Sequence, residues 1–250
     1  MRQVASNQDR TQAERTQYVY DQHIKVVIRR TNGKLAREET AELLVTPGPK
    51  ESHREEKSIK GRFWKKGQYH DFQGQPVPDE GTLDGSLAES FRNDLLNDES
   101  KDGLSKDLFP LTTEEQKGLQ FELEDEEIAE GRPAYRIRFR PADKNEFAWT
   151  GEAVIDKEEL QPVSVYTRLS RRIPFFVRTM LGTDLPGLGF STHYKRIGKD
   201  VWFPSSFGTE FRLHAVFFVN RTISVSMENK NFKHGSAEST IQYQESKAEP

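Results

Sequence analysis

The chain has 250 residues, 34% of them hydrophobic and 31% charged, and its 37 Lys and Arg stand against 40 Asp and Glu for a formal net charge of -3. A near-neutral balance gives no electrostatic case for nucleic acid, and the absence of cysteine excludes disulfides, thiolate metal sites and a cysteine nucleophile. No run approaches the ~18 apolar residues of a membrane-spanning helix, and the stretch from Met1 to Arg10 holds no apolar signal-peptide core, which leaves the compartment open.

Residues 1–16 are polar and without periodicity, and read as a disordered or frayed terminus or an open helix. From Tyr18 the pattern changes. Tyr18, Tyr20, Ile24, Val26 and Ile28 fall on even positions with Asp21, His23, Lys25 and Arg29 between them, the period of a half-buried strand. Asn32 and Gly33 tolerate positive φ and suit a tight hairpin turn, after which a return strand ends at Leu43, Leu44 and Val45. Pro47, Gly48 and Pro49 break it, and a third strand follows over 59–64, anchored by Phe63 and Trp64 before Lys65, Lys66 and Gly67.

The stretch from Gln73 to Gly85 is a loop. Ser86 and Glu89 have the spacing of a capping box, and Leu87, Phe91 and Leu95 recur at four-residue steps, one apolar stripe on a helix. Further short helical pieces are expected at Leu104 to Phe109 and at Thr112 to Glu115. They complete an acidic insert over about 84–117, readable either as a packed helical layer or as a movable cover. Acids outnumber bases from Asp79 to Glu130, and bases are in excess from Arg132 to Lys233, which reads either as an insert that neutralises the sheet it lies on or as two separately solvated faces.

From Leu119 the alternation is sustained. Tyr135, Ile137 and Phe139 alternate with Arg136, Arg138 and Arg140; Phe147, Trp149, Ala153 and Ile155 continue it, then Val163, Val165 and Leu169. Phe211, Leu213, Ala215, Phe217 and Val219 follow, then Ile223, Val225 and Met227. Short turns at Gly131 to Pro133, Gln161 to Pro162 and Gly198 to Asp200 imply antiparallel connections. The fold class is therefore mainly β (α+β): a strongly curved antiparallel sheet or incomplete β-barrel with short helices as an inserted lid. One domain is expected over 17–243, with a last strand at Ser239 to Tyr243 and a disordered tail at 244–250.

No catalytic motif emerges. The six histidines are scattered, with no pair at i, i+4, so no metal site is assigned. Gly187 and Gly189 lack the third glycine and the strand-to-helix setting of a phosphate loop. The runs Asp125 to Glu127 and Glu158 to Glu159 place neighbours on opposite strand faces, where they cannot flank one substrate atom. Asn220 to Thr222 is a glycosylation sequon by form only. The apolar run Pro174 to Leu181 is either a buried turn or, if exposed, a patch for a partner or lipid.

The order of these features resembles the lipoprotein-carrier (LolA/LolB-like) superfamily of bacterial envelopes, over roughly Tyr18 to Tyr243. The residues that carry the likeness are Phe147-Ala-Trp-Thr-Gly-Glu-Ala-Val-Ile-Asp156, Leu160-Gln-Pro-Val163 and Gly198-Lys-Asp-Val-Trp-Phe-Pro204. The resemblance implies a half-open barrel in the periplasm whose apolar cavity accepts acyl chains under a helical lid. One departure is Thr46 beside Pro47, where the family carries a basic residue. On this likeness the chain is expected to be a non-enzymatic binding or carrier protein for lipid or lipoprotein acyl chains, without cofactor or metal, not spanning the membrane and not binding nucleic acid. The expected cavity wall is Phe147, Trp149, Ile155, Phe211, Leu213, Phe217, Ile223 and Val225, and the expected lid is Leu87, Phe91 and Leu95. The alternative is a protein-binding regulatory or scaffolding module of the envelope on the same fold; an enzyme and an outer-membrane barrel rank below both.

Overall fold

The computed structural model describes residues 1–48, 52–95, 111–143, 149–169, 183–184, 189–198, 201–215 and 219–235. Helix α1 (Arg2–Arg15) leads into strands β1 (Tyr18–Arg30), β2 (Leu35–Thr46), β3 (His53–Lys65) and β4 (Gln68–Gln73). Helix α2 (Leu83–Leu95) and a 3₁₀ turn (Glu115–Gly118) follow, then β5 (Leu119–Ala129), β6 (Arg132–Pro141), β7 (Trp149–Asp156) and β8 (Pro162–Leu169). The chain ends its described part with β9 (Thr183–Asp184), β10 (Gly189–Arg196), β11 (Trp202–Ala215) and β12 (Val219–His234).

Eleven strands pair in the order β4-β3-β2-β1-β12-β11-β10-β8-β7-β6-β5, and β9 adds to β11 at Ala215 and His214. Every pairing is antiparallel. The chain therefore starts at mid-sheet, runs outward to the β4 edge, crosses by way of α2, re-enters at the β5 edge and returns until β12 meets β1. Because β4 and β5 do not pair with each other, the sheet is an open, curved one and not a closed barrel.

Two hairpins are closed by two-residue turns with both residues at positive φ: Lys66 (48°) with Gly67 (90°), and Glu130 (51°) with Gly131 (80°). This twist matches that of the flanking strands. The expected turn at Gly131 to Pro133 is thus shifted, and Arg132 and Pro133 already belong to β6, paired with Ala129 and Ile128.

Register, more than composition, builds the core. One row of side chains crosses the sheet as Ile59, Ala41, Ile24, Met227, Phe207, Thr192, Val165, Ala153, Ile137 and Leu123, each opposite the next. All but the edge residue Leu123 are buried. Since side chains alternate across a strand, this row fixes one apolar face for the whole sheet.

The N-terminal segment corrects an expectation. Of the two readings of residues 1–16, a frayed terminus or an open helix, the structure has a helix that is docked and not open: α1 (Arg2–Arg15), with Val4, Ala5, Asn7, Gln8, Thr11 and Arg15 buried. Asn7 Nδ2 donates to the carbonyls of Glu159 and Leu160 at 3.0 and 3.2 Å, Gln8 Nε2 donates to Gln161 Oε1 at 2.6 Å, and Gln161 Nε2 donates to Thr11 Oγ1 at 2.9 Å. The helix is held at the β7–β8 turn by amides and a hydroxyl, with only Val4 and Ala5 as buried apolar anchors, so it has no apolar stripe for a periodicity argument to find. The expected helical piece at 104–109, the apolar run at 174–181, the strand at 239–243 and the tail at 244–250 lie outside the described residues.

Candidate ligand-binding face

The apolar face is the candidate site. Ile28 pairs with Ile223, which pairs with Phe211; Val26 pairs with Val225, which pairs with Thr209. Over these rows lies α2. Its residues Leu87 and Phe91 pack against the core, Ala88 is fully buried, and the Phe91 ring meets Phe211 edge-on with centroids 5.4 Å apart. The helix lies chiefly against β1 and β2 and reaches β11 through Phe91.

Packing is not all that holds α2 down. Asp84 in its first turn accepts Nε and Nη2 of Arg221 at 2.6 and 3.2 Å, a cation placed well for a carboxylate that also sits at a helix N-terminus. Arg92 in its last turn donates Nη1 to Glu39 Oε2 at 2.5 Å and Nη2 to Glu80 Oε1 at 3.2 Å. Glu39 also takes Nε of Arg37 at 2.5 Å. Arg37 donates Nη2 to the Pro78 carbonyl at 3.0 Å and stacks its guanidinium over Phe63 and Phe72. Arg37 and Glu39 are 1% and 2% exposed, so an Arg–Glu–Arg group lies sealed within a mostly apolar face. Paired and hydrogen-bonded in this way, the charges offset much of the cost of leaving water.

Sequence reading missed this group, although a signal was present. Counting back by twos from Val45 through Leu43 and Ala41 brings Glu39 and Arg37 onto the inward face of β2. Charged residues at inward positions need partners, and Arg92 follows Ala88 by four residues on α2, one face of that helix.

Of the expected wall, Ile155, Phe211, Leu213, Ile223 and Val225 are buried on this one face. Trp149 is half-buried there, edge-on to Phe190 at 5.0 Å, which in turn meets Phe207 at 5.5 Å. Helix α2 lies over β1 and β2, with Phe91 on Phe211 of β11, and Ile155 and Trp149 sit several strands away on β7. Leu95 ends α2. Phe147 and Phe217 lie outside the described residues.

Polar clusters elsewhere hold the frame. Asp156 is fully buried and accepts Nε and Nη2 of Arg132 at 2.5 and 3.1 Å and the backbone N–H groups of Glu158 and Glu159 at 2.9 and 2.7 Å. Burial alone would push its carboxyl up, but Arg132 and the two amides outweigh burial and hold it below the usual carboxylate range. With its lone pairs engaged, Asp156 closes the β7–β8 turn and is not available as a base. His23 Nδ1 lies 2.5 Å from Glu42 Oε1, and His70 stacks on Phe63; no group of three His, Cys, Asp or Glu able to hold a metal occurs among the described residues. The charged groups on this face, Asp84 with Arg221 and Arg92 with Glu39, serve to hold α2 on the sheet.

Neither a protein-family model nor a curated protein matches the sequence. Solved structures that resemble the chain include an outer membrane lipoprotein-sorting protein domain from Vibrio parahaemolyticus, 11% identical over 93% of this chain and 92% of that one, with a TM-score of 0.41. A DUF1329 family protein from Desulfovibrio piger is 10% identical over 92% and 90% of the two chains, with a TM-score of 0.39. A LolA superfamily protein from Nitrosomonas europaea is 8% identical over 91% and 93%, with a TM-score of 0.35.

Proposed function

We propose that the chain is a non-enzymatic carrier or binding protein for lipid or lipoprotein acyl chains in the bacterial envelope, with the ligand held between the apolar face of the open sheet and the α2 insert. The observation that carries this reading is the cover itself. A long inward face is capped over β1 and β2 by a helix fixed through ion pairs at both ends, Asp84 to Arg221 and Arg92 to Glu39. Phe211, Leu213, Ile223 and Val225 are at most 5% exposed with α2 down, so an entering chain has to displace the helix.

Burial of an acyl chain contributes about 0.8 kcal/mol per methylene, which needs no catalytic group. Several methylenes offset the loss of one helix contact. No helix among the described residues is long and apolar enough to cross a membrane. The test is mass spectrometry of organic extracts of the freshly purified protein, with quenching of a fluorescent fatty acid beside it. Copurified acyl lipid and saturable quenching are expected, weakened by Phe211→Asp. A protein that takes up no amphiphile at micromolar levels would end this reading.

A second reading, a protein-binding module, is favoured by the β5 edge. Leu123 and Ile128 are 59% and 70% exposed on an edge strand, and such an edge offers backbone groups to an added strand. Capture of one protein partner, abolished by Leu123→Lys, with no lipid in the extract, would select it.

A further inference from the structure

The end of the sheet that carries the β1–β2 and β3–β4 turns gathers cations around two aromatic rings. Trp64 and Tyr69 pair across β3 and β4, edge-on with centroids 4.8 Å apart. The Arg30 guanidinium lies 5.7 Å from the centre of the Trp64 ring, and that of Arg62 lies 5.7 Å from the Tyr69 ring. Tyr69 is 43% exposed and its hydroxyl donates to the Leu35 carbonyl, which ties the two hairpins together. Arg62 and Trp64 alternate with the buried Ile59 and Phe63, so the cluster faces away from the apolar site.

Two carboxylates temper the charge: Asp71 accepts Arg62 and Asp79 accepts Lys65, each at 2.7 Å. Lys34 and Lys66, exposed at the two turns, have no carboxylate partner among the described residues. The result is an end with a cationic excess and partly exposed indole and phenol rings.

We propose that this end docks the protein on an anionic lipid surface, with Trp64 and Tyr69 at headgroup level and Arg30, Lys34, Arg62 and Lys66 against lipid phosphates. Indole and phenol rings have an apolar body and a polar tip and partition to the membrane interface. Each Lys or Arg near an anionic surface adds to the attraction, which falls off within a Debye length. Two neighbouring hairpin turns that each present an exposed lysine, Lys34 and Lys66, beside the Trp64 and Tyr69 rings fit a planar array of phosphates with an apolar layer beneath it. The docking stands apart from the acyl-chain reading, because adsorption requires no displacement of α2.

The test is flotation of the full chain with phosphatidylcholine vesicles, with and without phosphatidylglycerol, at low and high salt. Binding is expected only with phosphatidylglycerol, is lost at high salt, and is weakened at least about tenfold in Lys34→Glu/Lys66→Asn. Lys66 is at φ 48°, a conformation asparagine tolerates, and an unchanged melting curve establishes that this variant is folded. Trp64→Ser/Tyr69→Ser is expected to weaken binding further at fixed charge. Equal binding to neutral vesicles, unchanged binding of the lysine variant, or binding of polyglutamate in place of vesicles would each overturn the proposal, the last assigning the end to an acidic protein. Fatty-acid quenching measured on the same variants is expected to be unchanged, which separates failure here from failure of the carrier reading.

Discussion

Glu39 of β2 takes Arg92 of α2 across 53 positions of sequence, Oε2 to Nη1 at 2.5 Å, on a face where its cross-strand neighbour is Val26. A carboxylate so placed binds the cover to the floor. Its removal leaves Arg37 and Arg92, 1% and 8% exposed, without their shared anion. Breaking a buried pair costs about 3–5 kcal/mol, whereas replacing the whole group by apolar residues of similar volume is near neutral. Glu39→Leu is thus expected to lower stability by about 3 kcal/mol or more and Arg37→Met/Glu39→Leu/Arg92→Met to recover most of it, as measured by urea denaturation. Equal losses in the two would show that the group does not act as a unit.

Asp156 makes stability depend on acid pH. Its carboxyl is held below its ordinary value of 3.8, because Arg132 and the amides of Glu158 and Glu159 outweigh burial. A carboxyl depressed in the folded state contributes stability above its unfolded-state pKa, and that contribution is lost as pH falls through the folded value. The urea midpoint is therefore expected to hold at neutral pH and to drop from about pH 5 downward. In Asp156→Asn the neutral-pH midpoint is lower and the acid drop is shallower. Parallel acid limbs for the two proteins would count against this assignment.

The apolar face was legible because it obeys one rule, alternation, which Ile24, Val26 and Ile28 or Ile223, Val225 and Met227 announce locally. The helix α2 was legible for the same reason, through Leu87 and Phe91. The β1–β12 pairing that joins the two halves of the sheet was not, since nothing in either strand names its partner. The α1 docking was hidden because its anchors are Asn7, Gln8 and Thr11, residues that look identical whether they face solvent or a neighbouring amide. Arg37 and Glu39 were passed over on β2 although parity placed them inward; their partner Arg92 is supplied by a distant helix.

Gly85 sets how closely the loop before α2 approaches the helix. A Cβ there would lie 2.0 Å from the Asp79 carbonyl oxygen and 2.8 Å from Cα of Glu80, both backbone atoms. Alanine in a helix interior gains about 1 kcal/mol over glycine, but overpacking against backbone costs about 1–3 kcal/mol. The clash wins. Gly85→Ala is expected to destabilise the protein and to loosen Arg92 from Glu80 and Glu39, read as faster amide exchange in α2 than in β1. A stabilised variant would mean that the loop yields freely.

Gln161 is the pivot of the α1 contact, accepting from Gln8 at 2.6 Å and donating to Thr11 at 2.9 Å, with all three side chains at most 2% exposed. Replacing it by leucine keeps the volume and removes both bonds. Two buried polar groups then lose their partners, each at about 1–3 kcal/mol, while the added apolar surface returns less than that because it faces an amide and a hydroxyl. Since Val4 and Ala5 alone anchor α1 by apolar burial, the helix is expected to detach before the sheet unfolds. Limited proteolysis of Gln161→Leu should then cut within 2–15 while β1 to β12 stay intact, and Gln8→Leu/Thr11→Val/Gln161→Leu, which removes all three polar partners together, should restore protection. Cleavage in the sheet at the same rate as in α1 would show that the two unfold as one unit.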